Sequence, residues 1–330
     1  MSITEQITEN TTLLTGFAEK RKYTWGASTE GAISFEDAKR LIGWTPLEGE
    51  VNGIVLTEDG VTTVSDPTRK MLLHPRTLKP LAVHGQGYTV HPYADTLLDQ
   101  ASLIADGEVG LARVGTLNEG RKAFVQYELG DNVSVKSKGS ETVDYRPFLN
   151  AATSLDGSIA TTFFVGTTVI VCENTLSLAL RESRDAGDQV KVRHTRNSAV
   201  QISDARHALG ILFKQADDFA AEVEKLTAEY VSDQKWNDFL EAVAPIDKKE
   251  GRALTMAENR RAQLNQLWNS DERVAPWRNS AWGVLAAVNT HSHHIQTVKN
   301  VDRAERNAAR IIDGSLAKLD ANTLRVLASV

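Results

Sequence analysis

The chain has 330 residues, 41% apolar and 24% charged, with a formal net charge of −6. This is ordinary globular usage with enough length for a large core, and it argues against a chain coated in nucleic acid while leaving room for a local basic groove. The single cysteine, Cys172, excludes an intrachain disulfide and fits a reducing compartment.

Met1–Asn10 is polar and acidic and lacks the basic and apolar regions of a secretory signal. The longest apolar run, Ala160–Cys172, is broken by threonines and Gly166, too short to span a bilayer. The expectation is a cytoplasmic protein. Thr4–Lys22 reads as a helix with little to bury or as a mobile arm. Ser34–Trp44 predicts a short helix, capped by Ser34, with Glu36 and Asp37 at its positive end and Ala38, Leu41 and Ile42 as its apolar face.

From Val51 the pattern becomes β. Val51–Leu56 and Val61–Val64 flank Thr57-Glu58-Asp59-Gly60, a hairpin signal. Further strands are expected at Lys70–Leu73, Leu81–His84, Tyr88–His91, Leu111–Val114, Lys122–Leu129, Val133–Lys136, Thr161–Val165 and Thr167–Cys172. Pro92 opens a helix through Tyr93, Leu97, Leu98 and Ile104. After Glu173 the chain turns helical. Ile202, Ala205, Leu209, Leu212, Ala216, Phe219, Val223, Leu226 and Tyr230 alternate spacings of three and four, a heptad seam that needs a partner helix in this chain or a neighbour. Pro245 breaks the pattern, and Thr255–Trp268, Ser280–Ile295 and Asp302–Leu319 read as three more helices. The fold class is α+β: an arm and short helix over 1–45, a β-rich core over 46–198 and a helical region over 199–330.

Candidate chemistry is sparse. No Gly-x-x-x-x-Gly-Lys-Ser/Thr loop occurs, and Gly85-Gln86-Gly87 reads as a turn, so no cofactor is implied. His291, His293 and His294 suggest a metal cluster but lack further ligands at a recognisable spacing, which favours structural histidines. Cys172 with His194 suggests a nucleophile and base, yet Cys172 ends an apolar strand where cysteine behaves as a small hydrophobe. Asp156-Gly157-Ser158 offers a carboxylate, and its plainer reading is a turn between strands.

Basic and aromatic residues group in three places. Arg21, Lys22, Tyr23 and Trp25 form the first; Lys136, Lys138, Tyr145, Arg146 and Phe148 the second; Lys191, Arg193, His194 and Arg196 the third. Single-strand binders need cations along the backbone track and π faces for bases. The plainer reading is solvated surface, with Glu182, Asp185 and Asp188 nearby.

Several separated segments carry a resemblance. They are Gly85–Val90, Gly115–Phe124 with Gly120-Arg121, Phe148–Ser158, Val171–Leu176 with Val192–Thr195, and Trp282–His294. In this order they resemble the phage/plasmid-like protein family, domain of unknown function 932. Leu155 departs from the pattern, standing where many members have histidine. The resemblance implies a phage or mobile-element origin and a role near replication or recombination, since some members resemble single-strand annealing proteins. The leading expectation is therefore an ATP-independent single-stranded DNA binder that promotes annealing as a homo-oligomer, with a phage exonuclease or host replication protein as a further partner. Lys136, Lys138, Arg146, Lys191, Arg193, His194 and Arg196 would contact phosphates, and Tyr145 and Phe148 would stack on bases. Two alternatives are a non-enzymatic factor that binds another protein, and a hydrolase or nuclease using Asp156, Cys172 or His194.

Overall fold

A computed structural model describes residues 4–7, 12–15, 33–101, 110–128, 133–136, 142–169, 175–177, 189–195, 198, 215–299, 301 and 303–330. In chain order the strands are β1 Thr4–Ile7, β2 Thr12–Thr15, β3 Leu47–Thr57, β4 Gly60–Leu73, β5 Pro80–Gly85, β6 Leu111–Leu117, β7 Lys122–Glu128, β8 Val133–Lys136, β9 Thr142–Ser154, β10 Thr161–Val169, β11 Thr175–Ser177 and β12 Gln189–Val192. The helices are α1 Phe35–Ile42, α2 Gln215–Ala228, α3 Asp233–Val243, α4 Gly251–Ser270, α5 Ala281–Thr290, α6 Arg303–Ile312 and α7 Ser315–Ser329. Two π-helical turns cover Ala94–Gln100 and His291–Ile295. Strands lead and helices follow, the α+β class read from the sequence.

Two compact units divide the chain. One comprises Met1–Gly130, Phe148–Phe164 and Gln189–Ile211; the other comprises Asp131–Pro147, Val165–Asp188 and Leu212–Val330. They interleave along the chain.

In the first unit, β1 and β2 pair antiparallel, and β2 continues onto β6 with Leu13 opposite Gly115. The expected helix or arm over Thr4–Lys22 thus contains two strands instead, because Thr12 and Thr15 are β-branched and favour a pleated surface. Helix α1 forms as expected, and Ser34 Oγ accepts the Asp37 amide at 3.0 Å. Strands β6, β7 and the second half of β9 form an antiparallel ladder, with Val114 opposite Val125 and Val125 opposite Ala151. Their buried faces and the π-helical turn bring Leu97, Leu98, Val125, Tyr127 and Leu149 into one core.

Strands β3, β4 and β5 make a separate three-stranded sheet. The runs Val61–Val64 and Lys70–Leu73 are one strand of 14 residues, not two. Pro67 survives inside it because the pairing slips between Glu50 and Asn52, opposite the segment that holds the proline. Tyr88–His91, expected as a strand, is irregular. Its side chains are committed to the site described below, not to a ladder.

In the second unit, β8 pairs with the first half of β9, and the second half of β10 pairs with β11. Gly166 lies inside β10 and does not break it. The core gathers Trp236, Phe239, Leu264, Trp268, Trp277 and Trp282 around α5, every residue of which is buried. Trp236 and Trp268 stack at 4.4 Å, and the Trp236 indole N–H donates to Asn265 Oδ1 at 2.8 Å. Ile202–Leu212 of the heptad seam lies outside the described residues. In the described part, Val223 and Leu226 are buried in the same core as α5, so their partner is internal. Tyr230, the last seam position, lies past the helix and is 70% exposed. The single helix expected over Asp302–Leu319 is two, separated at Gly314, whose φ of 72° is left-handed and free of strain only for glycine.

Candidate functional site

Four aromatic rings stack in the first unit. His84, on β5, lies 3.7 Å from Tyr88, with ring planes 3° apart. Tyr88 lies 4.9 Å from His194 at 8°, and His194 lies 4.0 Å from His91 at 20°. The column runs from half-buried His84 to His91, which is buried. Strand pairing assembles it. Strand β12 pairs antiparallel with β10, Val192 opposite Thr161, which delivers His194 to the end of β9 and the start of β10. The amide and carbonyl of Thr89 and His194 then tie the two segments, with the Thr89 amide 3.4 Å from His194 O.

The Ser154–Ile159 turn forms one side of the site. Asp156 Oδ1 accepts the Ser158 amide at 2.9 Å, and Ser154 Oγ accepts the Ile159 amide at 3.1 Å while donating to Ile159 O at 2.9 Å. Gly157 has φ 72°, and a β-carbon there would sit 3.2 Å from His84 Cε1, so both conformation and space call for glycine. The turn's carbonyls hold the outer rings: Tyr88 donates to Ser154 O at 3.0 Å, and His84 Nε2 lies 2.6 Å from Leu155 O. Leu155, the departure from the family pattern, is itself buried.

Hydrogen-bond chemistry assigns the protons of the inner rings. His194 Nδ1 lies 3.1 Å from Thr89 O, and a carbonyl only accepts, so Nδ1 carries the hydrogen. Burial, with a smaller push from His84, holds the His194 pKa below its ordinary value, against a raising pull from the Thr89 carbonyl. The neutral ring then has Nε2 as acceptor, and Thr153 Oγ1, 3.2 Å away, donates to it. Thr153 in turn accepts from Thr161 Oγ1 at 2.7 Å, and Thr161 accepts from His91 Nδ1 at 2.5 Å. The result is a one-way chain from His91 through two buried threonines to His194. It leaves His91 Nε2 bare, buried and without a hydrogen-bond partner among the described residues. Burial, then the nearby His194, drives the His91 pKa down to about 4. Burial, then the Asp156 charge, raises that of Tyr88. At neutral pH His91, His194 and Tyr88 are therefore uncharged; they orient and accept hydrogen bonds and do not neutralise phosphates.

The residues expected to bind nucleic acid fall in different surroundings. Lys191 and Arg193 are exposed, alternating outward around buried Val192 on and just past β12. Neither side chain has an ion pair or hydrogen bond among the described residues. His194 is half-buried and belongs to the column. Lys136 is exposed on β8 in the second unit. Tyr145 and Phe148 are both fully buried, so in this arrangement their rings are core and offer no face to a base. The reason is the pleat: Tyr145 and Phe148 pair with Val133 and Glu128 in sheets whose inner faces are packed. Arg146 lies in β9, and Lys138 and Arg196 lie outside the described residues, as does Cys172. Asp156 Oδ1 is engaged in its own turn. His291 and His293 are buried in the second unit and donate to Gln263 Oε1 and Asn289 O, at 2.9 and 3.0 Å. Among the described residues no group of three metal-ligating side chains converges.

His84, Tyr88, His91, Thr153 and Thr161 were not singled out as a site from the sequence. The signal was present, since Tyr88 lies in the Gly85–Val90 segment, Thr153 in Phe148–Ser158 and His194 in Val192–Thr195. Those separate motifs become one place once β12 pairs with β10.

The comparisons with known proteins agree on the family alone. The sequence model of a domain of unknown function, DUF932, matches residues 80–312. No curated protein matches the chain. No solved structure matches it. The matched span takes in the ring column and the turn that cradles it, and the chain belongs to the DUF932 family.

Proposed function

We propose that the protein binds single-stranded DNA without ATP and serves annealing or recombination in a phage or other mobile element. The observation that carries this reading is the pair Lys191 and Arg193: two exposed cations on and just past β12, without an ion pair among the described residues, beside the column that holds His194. Cations held on a rigid element suit the backbone track of a single strand. With Tyr145 and Phe148 buried, base stacking on those two rings drops out of the proposal, and the affinity is mainly electrostatic. The test is anisotropy of a labelled, unstructured oligonucleotide titrated across salt. For single strands log affinity falls with log salt by about 0.7 per phosphate contact, so Lys191→Ala with Arg193→Ala flattens the slope by about 1.4. An unchanged slope removes this edge from the interface, and no binding at low salt removes the reading.

A second reading, a factor that works through protein contacts, is favoured by the β3–β4 ribbon. Ile54 and Leu56 are 76% and 81% exposed, and Val61, opposite Leu56, is 68% exposed. Alternation and pairing put Ile54, Leu56, Val61 and Thr63 on one face. An apolar face at the tip of a long ribbon suits docking to protein, and a second copy of the chain is the occupant that also gives a homo-oligomer.

A further inference from the structure

The second unit holds a concentration of positive charge that neither reading above uses. Helix α5 ends in the π-helical turn His291–Ile295, and its terminal carbonyls lack helical partners. Arginines of α6 supply them. Arg303 Nη1 donates to His293 O and Gln296 O, each at 3.1 Å. Arg306 Nη2 donates to Ser292 O and, at 2.9 Å, to Asn307 Oδ1, its Nε to the same oxygen at 3.3 Å and its Nη1 to Gln296 Oε1 at 3.5 Å, while Arg310 Nη1 donates to Ser292 Oγ. Capping of this kind is a sufficient account of one guanidinium. It is not an account of a cluster. At 100° per residue, Arg303, Arg306 and Arg310 fall within about 60° of one another around α6, while Glu305 falls on the opposite side. Arg260 stands three residues before Gln263 on α4, and Gln263 Oε1 accepts from His291 Nε2 at 2.9 Å, so Arg260 and Arg306 both act on the His291 ring.

No carboxylate pairs with any of the four arginines among the described residues. The carbonyl end of a helix contributes only about half a negative charge. Burial, then Arg310 and Arg303, push the Arg306 guanidinium below its ordinary pKa, as expected where like charges crowd. Donors are left over. A guanidinium carries five N–H groups; among the described residues Arg310 spends one nitrogen on protein and Arg260 makes no hydrogen bond. The His293 Nε2 atom, buried within electrostatic reach of Arg306 and Arg310, also has no hydrogen-bond partner among the described residues.

We infer that Arg260, Arg303, Arg306 and Arg310 form a binding site for a phosphoryl group, free or ester-linked. Forked guanidinium donors match the tetrahedral oxygens of phosphate better than a point charge does, and a dianion there relieves the repulsion between the arginines. The site is independent of Lys191 and Arg193.

The test uses the full chain at constant ionic strength, with chloride as the balancing anion. Inorganic phosphate is titrated by calorimetry into the wild type, Arg260→Ala and Arg310→Lys; a 5′-phosphorylated oligonucleotide and its 5′-hydroxyl counterpart are compared in parallel. Arg260→Ala keeps the fold, because that side chain is exposed and holds no structural hydrogen bond. Arg310→Lys keeps the charge and loses the fork. Both variants are expected to weaken phosphate binding by about tenfold. Saturation by inorganic phosphate identifies a free-phosphate site, and binding only of the 5′-phosphorylated strand identifies an ester-linked one. Absence of binding by both probes overturns the site, and so does equal affinity in wild type and variants. Loss of oligonucleotide binding on changing Lys191 and Arg193 alone leaves it standing.

Discussion

His91 and Thr161 meet at the buried end of the ring column with Nδ1 and Oγ1 2.5 Å apart, the last link of a chain whose direction the Thr89 carbonyl sets at His194. His91 donates, each threonine passes the polarity on, and His194 receives it on Nε2. A chain of this kind is cooperative and depends on each member being satisfied. It therefore reports its own integrity.

Removing one hydroxyl tests the chain. Thr161→Val keeps the shape, leaves His91 Nδ1–H without its acceptor and takes from Thr153 Oγ1 its donor, both in a buried place. The expected loss of stability is about 1–3 kcal/mol, read by urea denaturation. A change below about 0.5 kcal/mol shows that the chain is not assembled as described.

The histidines predict an acid-sensitive fold. His91, His291 and His293 all have pKa values lowered from 6.5 to about 4, each mainly by burial. A lowered histidine pKa means the folded state binds fewer protons than the unfolded state. Its stabilising contribution is complete above pH 6.5 and is lost as pH falls through about 4. By pH 5 the loss is about 2 kcal/mol for a histidine shifted this far. Denaturation midpoints at pH 7.5 and pH 5 check it, and His91→Asn is expected to shrink the difference. Equal midpoints at the two pH values contradict the burial of these rings.

Gly283→Ala tests the centre of the second unit. A β-carbon at 283 would stand 2.2 Å from Trp277 O, a backbone atom that cannot swing aside. The substitution is expected to cost about 1–3 kcal/mol or more, and a shift in tryptophan fluorescence should accompany it, because Trp268 also borders the site. Wild-type stability would show that α5 can move away from that turn.

The ribbon is tested by charge. Ile54→Lys with Leu56→Lys alters two exposed side chains, so the melting temperature is expected to hold. Sedimentation velocity is expected to show the variant at lower mass than the wild type. Identical sedimentation of the two proteins removes the ribbon from any self-association.

Local features were legible from residue order. Ser34 marks the start of α1, Asp156-Gly157 a turn and Pro245 a helix end, because caps, turn residues and proline act within four residues of themselves. The heptad spacing correctly buried Val223 and Leu226, since helical periodicity is also local. Where local signals misled, the fold had supplied something distant. Pro67 is tolerated in β4 by a slip in pairing with β3. Tyr145 and Phe148, set among cations in the sequence, are turned inward by the strands beside β9.

The family was legible too, because its motifs are short and contiguous. What they build was not. His194 stacks on His91 and bonds Thr89, 105 residues away, because β12 takes one register on β10. The four arginines converge because α4 and α6 both reach the end of α5. By itself the sequence determined the elements whose caps, turns and periodicity are local, which faces are apolar, and the class of the fold. Only the tertiary structure decided which polar side chains share a place, because register and helix packing are set by long-range burial that no local spacing records.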